Sequence, residues 1–394
     1  MTDKSLSFAE ALQVVRDNAL LTEAERTPVE KAVGRVLHED VVSPVDHPGF
    51  TNSAMDGYAV RSGDLPGSLW MVGESQAGAA WEGVLAPRQA ARISTGAPLP
   101  EGADAVLRLE DGRESGGWVA ADVAVAPGTF VRQRGEVVAA GQTILPAGTV
   151  VRAHDIAALA GLGIARVSCR RTPKVAVVVT GDELVEPGSP RNIGEVYDGN
   201  RPGLSAQIAR AGGEVVMTRV ARDDRDESRR VLEEVLNAED DVTPDLVITA
   251  GGVSVGRHDH VRPALLALGV EQIFWGVDVK PGHPLMLGAR DDQRVLALPG
   301  NPVSAAVCFH VFGRELLGIR AGDLPRAPLA RLYEPTTPRT EFIRCRWKAG
   351  ELMPSDNQDS HAIGDLAGSD ALALIPAKSR PVPSGSLVEY LPLG

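Results

Sequence analysis

Five short stretches between residues 180 and 302 carry glycine, proline or charged side chains in patterns that could do chemistry. "TGDEL" carries Asp182 and Glu183, "ARDD" carries Asp223 and Asp224, and "AGGVSVGRHDH" (Ala250 to His260) carries Gly251, Gly252 and Asp259. "KPGHP" carries Lys280 and His283, and "PGNP" leads straight into an apolar segment. Gly251 and Gly252 have no Cβ, so their N–H groups could turn toward a phosphate as an anion nest; a tight turn is the other reading. Each carboxylate taken singly is a helix cap or a solvated loop charge, and Asp226 reads as such a cap. Several acids at successive strand ends favour a shared Mg²⁺, a hard ion that prefers oxygen ligands. Lys280, on a turn constrained by Pro281, Gly282 and Pro284, could offset phosphate or oxyanion charge or simply be exposed. His258, His260 and His283 lack a recognisable zinc spacing. No G-K-[ST] follows the glycines and no G-x-G-x-x-G is present, so Walker-loop and dinucleotide-fingerprint readings have no support, and acyl transfer is not the expectation.

These stretches need a scaffold, and the residues around them supply one. "KVAVVVT", "EVVMTRV", "DLVITA" and "RVLAL" are apolar runs, as strands buried on both faces require. Between them, "RPGLSAQIARAG", "ESRRVLEEVLNA" and "VRPALLAL" read as helices. Strands alternating with helices make a doubly wound, mostly parallel α/β sheet, and ligands bind such sheets beyond the carboxyl ends of the strands. With "IFWGVDV" as a further strand, ahead of "KPGHP", the polar stretches all fall there.

Upstream, "SFAE" and "TPVE" are capping-box patterns, predicting two short helices at the start of the chain. From Pro44 to about Gly141, frequent glycine and proline break the chain into short strands, and "TVVRAHDIAALAGLGIARV" then returns to helix. Beyond Gly322 the texture is again short strands. The expected division is a small helical domain I from 1–43 plus 141–171 and an inserted β-rich domain II at 44–140. The α/β domain III follows at 172–322, and a C-terminal β-barrel-like domain IV at 323–394.

The totals set limits. At 394 residues the chain is too long for one small core. A formal net charge of -12 argues against a general nucleic-acid or membrane-surface binder. Three widely spaced cysteines without a C-x-x-C pair argue against a disulfide scaffold, and no stretch reads as a signal peptide or a membrane span. A cytoplasmic protein is the expectation.

The motifs taken together resemble a family. "PGFTNSAMDGYAV" (48–60), "ISTGAPLPEGADAV" (93–106), "TGDEL", "GGVSVG", "KPG" and "LPGNPVSA" occur in the order found in molybdopterin molybdenumtransferases, the MoeA proteins and the E domains of their plant and animal counterparts. The resemblance implies an L-shaped homodimer with an active site shared between subunits. It implies an enzyme that takes adenylylated molybdopterin and molybdate, assisted by Mg²⁺, releases AMP and leaves molybdenum on the dithiolene. A molybdopterin adenylyltransferase and apo-molybdoenzymes are the implied protein partners. Carried over by motif, Glu183, Asp223, Asp259 and Lys280 are the catalytic candidates, and Asp182, Glu183, Asp223 and Asp259 the metal candidates. Substrate contacts fall to Asp56, Thr95, Asn200, Gly251, Gly252, Ser254, His283, Pro284, Arg344 and Ser360. Plainer roles stand beside these: Asp56 capping a turn, Thr95 a strand-end hydroxyl, Arg344 pairing with Glu341 at the surface.

The chain also departs from the family pattern. Val137 replaces an expected aspartate, Gly276 an expected lysine, and His283 a fixed positive charge. A molybdopterin adenylyltransferase, whose domain resembles the α/β region, and a binding protein that has lost turnover are the competing readings.

Overall fold

The structure, a computed structural model, describes residues 5–253, 259–319 and 322–393. It divides into two compact units, one from residues up to 24 together with those from 170 onward, the other from 25 to 169.

The first unit is built on a six-stranded sheet. Its helix α1 (Phe8–Asp17) precedes strands β1 (Lys174–Thr180), β2 (Glu214–Ala221), β3 (Leu246–Ala250), β4 (Glu271–Trp275), β5 (Met286–Arg290) and β6 (Gln293–Leu298). The strand order is 2-1-3-6-5-4. Strands β2, β1, β3 and β6 are parallel, while β5 runs antiparallel to β6 and to β4. Alternation along β1 explains its unbroken apolar run: Val175, Val177 and Val179 face one core, Ala176 and Val178 the other. The second core is covered by α3 (Arg225–Leu236) and α4 (Val261–Ala267) through Val231, Leu232, Val235, Val261 and Leu265. The first is covered by α2 (Asn200–Arg210) and α5 (Pro302–Cys308) through Leu204, Ile208, Val303 and Val307.

One expectation holds here and one changes. The capping box at Ser7 is present, with Glu10 N–H donating to Ser7 Oγ and Ser7 N–H to Glu10 Oε2. The helix it starts buries Ala11 and Val15 in the α/β core, a packing partner the sequence did not name. The cap of α3 is Asp224, which accepts from the N–H groups of Asp226 and Glu227; Asp226 lies inside the first turn.

A second sheet completes this unit. Thr340–Lys348, Ala371–Ile375, Leu387–Pro392 and Arg326–Pro328 run as antiparallel neighbours, with Glu351–Pro354 hairpinned onto the first. Its edge is Val279–Lys280, which pairs in parallel with Thr340–Glu341. Phe342, Leu372 and Leu391 enter the same core as the α/β strands, and Phe8 meets Phe312 and Phe342 edge to face. The two sheets therefore share one hydrophobic interior.

The second unit carries a six-stranded sheet whose order runs Ala105–Arg108, Gly57–Val60, Gln89–Ile93, Gly67–Ser75, Trp118–Ala121, Arg113–Ser115. Separate apolar clusters cover its two faces. A third cluster joins Val29, Leu37, Val151 and Leu159. The second expected helix does not form. Thr27 and Pro28 end a strand, Ala24–Pro28, and one 3-10 turn follows at Val29–Lys31. Gly34 then adopts φ +81° and its N–H goes to Val151 O, which leads the chain away from a helical path. The stretch from Thr149 holds a shorter helix, Ala153–Gly161, followed by a strand from Arg166.

Candidate functional site

The carboxyl ends of β1, β2, β3 and β6 open on one cavity of about 650 Å³. Strand order reverses direction between β1 and β3, which is where open α/β sheets bind ligands. Glu183 follows β1, Asp223 follows β2, and Gly251, Gly252 and Asp259 follow β3; all five line the cavity, with Asn200 at the start of α2 and Pro284. Ser254 lies outside the described residues, as does His258. Asp182 does not line the cavity: its Oδ1 accepts from the Asp223 N–H at 3.3 Å. Among the described residues no three acidic, histidine or cysteine side chains are grouped closely enough to ligate one ion. The expected four-carboxylate metal cage is therefore an acidic wall with Asp182 outside it.

The glycines act mainly through size. Gly251 has φ +104°, and a Cβ there would stand 2.5 Å from Thr180 Oγ1. Its N–H goes to Leu298 O and is not turned toward a ligand. Asn200 donates from Nδ2 to Gly300 O at 2.6 Å, while its Oδ1 and Thr180 Oγ1 are buried without a hydrogen-bond partner. Buried polar atoms are rarely left so in a filled site.

A second chamber of about 490 Å³ adjoins the first, sharing Pro284, Pro299, Asn301 and His361. Its wall carries Lys280, His283, Arg339, Ser304 and Ser360, with Asp359 the acidic member. The turn that presents Lys280 is tight: Gly282 has φ +108°, and a Cβ would fall 2.0 Å from Cys308 Sγ. Burial pushes the Cys308 thiol up to about 12, so it stays neutral beneath the turn. Lys280 Nζ donates to Thr336 Oγ1, and the strand pairing sets Lys280 opposite Glu341. Glu341, 1% exposed, accepts from Tyr333 OH at 2.6 Å and from the N–H and hydroxyl of both Thr336 and Thr337. Burial pushes its carboxyl upward, but these donors and the Lys280 charge outweigh it and hold the carboxyl below its ordinary value. Lys280 also lines a further hollow of about 630 Å³.

Arg344 is corrected on both counts. It is 0% exposed, lines neither chamber and does not pair with Glu341. Its Nη2 donates to Asn357 O at 2.7 Å and Asp359 O at 3.2 Å, so it braces the loop that presents Ser360 and His361. The physical reason is the strand: Thr340 to Cys345 is buried throughout, and a guanidinium inside it cannot reach a cleft. Arg339, just before that strand, reaches the chamber instead. Sequence reasoning missed Arg339, Asn301, Ser304 and His361, although Asn301 and Ser304 lie within "LPGNPVSA" and His361 follows Ser360. Asn301 Nδ2 donates to Ser360 Oγ at 2.8 Å, tying the α/β layer to that loop.

In the second unit, Asp56 and Thr95 meet each other. Asp56 Oδ1 accepts from Thr95 N–H at 2.6 Å and from Thr95 Oγ1 at 2.9 Å, and these bonds hold its carboxyl below its ordinary value. Val137 is exposed, and its N–H donates to His47 O. Gly276, in the first unit, has φ +85° and a Cβ there would lie 3.0 Å from Ser5 Oγ, so glycine suits the local backbone.

Three family descriptions match the chain: MoeA N-terminal region (domain I and II) at residues 6–163, a probable molybdopterin binding domain at 176–318, and MoeA C-terminal region (domain IV) at 326–393. A molybdopterin molybdenumtransferase of Haemophilus influenzae is 38% identical, over 77% of this chain and 74% of that protein. Molybdopterin molybdenumtransferase 2 of Mycobacterium tuberculosis is 35% identical over 92% of this chain and 93% of its own. Among solved structures, the molybdopterin biosynthesis moeA protein of Pyrococcus horikoshii superposes with a TM-score of 0.85 at 29% identity, covering 98% of this chain and 99% of that one. No helix of the described residues is long and apolar enough to cross a membrane.

Proposed function

The chain belongs to the MoeA family of molybdopterin molybdenumtransferases, and we propose that it inserts molybdenum from molybdate into adenylylated molybdopterin with release of AMP. The observation that carries this reading is the acidic cavity lying wall to wall with a basic chamber inside one compact unit. A phosphoanhydride needs its charge spread and its leaving group oriented more than it needs a protein nucleophile. The acidic wall fits Mg²⁺, because this ion is commonly held by one or two carboxylates with substrate phosphates completing its shell, so no protein cage is required. One or two of Glu183, Asp223 and Asp259 would hold it, and it would neutralise phosphate charge there.

The protein's own groups do the rest. Asn200, with its unpartnered Oδ1, and the glycine-lined floor at Gly251 and Gly252 receive the pterin-phosphate portion, with Pro284 on the shared wall. Glu183 orients the attacking oxygen. Lys280, His283, Arg339 and Ser360 receive molybdate, a tetrahedral dianion suited to ammonium, guanidinium and hydroxyl donors. Asp56 and Thr95 keep their assignment as substrate contacts in this reading, as does Ser254. Arg344 acts by holding the Ser360 loop. A cytoplasmic homodimer that is supplied by a molybdopterin adenylyltransferase and serves apo-molybdoenzymes completes the proposal. So does the four-part division at 43/44, 140/141, 171/172 and 322/323, with a barrel-like last part.

One assay tests it. The purified protein is loaded with adenylylated molybdopterin, molybdate is added and AMP is followed. Molybdate-stimulated release supports the proposal. Formation of the adenylylated pterin from ATP would instead make the chain an adenylyltransferase, and tight binding without release a binding protein.

A further inference from the structure

We propose that His283 couples oxyanion entry to proton uptake: a fully deprotonated tetrahedral dianion occupies the basic chamber together with one proton, carried on His283 Nε2. The inference deepens the reading of that chamber as the molybdate site and rests on it.

The argument starts from the ring's anchor. His283 Nδ1 lies 2.8 Å from Val277 O. A carbonyl oxygen only accepts, so Nδ1 carries hydrogen whatever the ring's charge. In the neutral ring Nε2 is then a bare lone pair, and among the described residues it has no hydrogen-bond partner. The ring forms part of the chamber wall. Molybdate oxygens also only accept. A lone pair set among them repels, whereas a protonated Nε2 donates and adds a positive charge. Lysine and arginine donate at every relevant pH; imidazole alone changes near neutrality.

The surrounding groups set the balance. Lys280 and Arg339 in the same wall oppose protonation of the empty chamber. Asp359 in the wall and Asp278, whose Oδ1 is 3.9 Å from Nδ1, favour it. His361 is the other imidazole present. An arriving dianion adds two negative charges and tips the balance, so the bulk buffer supplies one proton to the complex. Hydrogen phosphate carries its own hydroxyl and can donate to the bare Nε2. His283 thus discriminates among tetrahedral anions by whether they bring a proton.

The test is calorimetric titration of the full-length protein with sodium molybdate between pH 6 and 8.5, in two buffers of different ionisation enthalpy. Wild type is expected to take up one proton and to weaken about tenfold per pH unit above the imidazole's titration, the limit for one coupled proton. His283→Lys is expected to bind with neither slope nor uptake, and His361→Gln to keep both. If His283→Lys does not fold, judged by circular dichroism, His283→Gln takes its place with the same expectation. Nitrogen NMR of the wild-type imidazoles supplies a readout that needs no variant: molybdate should convert His283 Nε2 from acceptor to N–H. A flat pH profile without uptake, a slope that survives in His283→Lys, or one lost in His361→Gln would overturn the coupling while leaving the chamber an oxyanion site. No molybdate binding at any pH would overturn both the coupling and that reading of the chamber.

Discussion

The cavity at the strand ends presents Glu183, Asp223 and Asp259, while the chamber beside it presents Lys280, His283 and Arg339. Their origins differ as much as their charges. The acidic wall is assembled from successive β–α turns of a single sheet. The basic wall forms where the chain, past the α/β strand ending at Trp275, supplies Val279–Lys280 as the edge of another sheet. An acidic wall accepts an anionic substrate only with a cation between them, whereas a basic wall accepts one directly. The contrast teaches that adjoining walls of opposite charge suit an anion paired with a cation on one side and a bare anion on the other.

Variants can break that contrast, and the largest effect is expected on the acidic side. Glu183→Ala should lower molybdate-stimulated AMP release by about 10² to 10⁴, the range for losing a positioned acid–base group, with circular dichroism unchanged. Unaltered release would remove Glu183 from the mechanism. On the basic side, Lys280→Met should weaken molybdate binding by roughly 10- to 100-fold, as expected for one charge-assisted contact, and leave Mg²⁺ dependence as it was. A shift in Mg²⁺ requirement instead would mean that the walls are not separate.

Two smaller effects sharpen the comparison. Glu341 lies beneath the basic wall with its carboxyl held below the ordinary value. The folded protein therefore binds this proton less readily than the unfolded chain. The stabilisation is full above the ordinary carboxylate range, about pH 4.3, and is lost as pH falls through the lower folded value. Glu341→Gln should reduce the acid-side slope of thermal stability; an identical slope would mean other groups set it. Asp224→Ala should cost about 1 kcal/mol in a denaturant melt, the loss of one helix cap, with AMP release unchanged. Loss of activity there would make Asp224, and not only its neighbour Asp223, part of the acidic wall.

Much of the α/β unit was legible because its signals are local. The valine run of β1, the capping box at Ser7 and the polar turns after each parallel strand depend on neighbours a few positions away. The misreadings arose where a local signal met a distant partner. "TPVE" has the capping pattern, but the contact of Gly34 with Val151 ended the helix after one turn. Asp224 and Asp226 are equally good caps by type, and only the backbone path chose Asp224. Arg344 looked available because an arginine in a strand is normally exposed. Cover on both faces of Thr340–Cys345 enclosed it and left the chamber to Arg339.

By itself, then, the order of residues determined the main strands and helices of the α/β layer, that the polar turns cluster at strand ends, and which family the chain resembles. Tertiary structure alone decided that α1 completes the α/β core, that Gly251 is required for space beside Thr180, and that Lys280 stands across from Glu341. The reason is that periodicity marks a face as buried without naming what covers it, because hydrophobic attraction is non-directional. Partners sixty residues apart are chosen by packing and strand register, which no local pattern encodes.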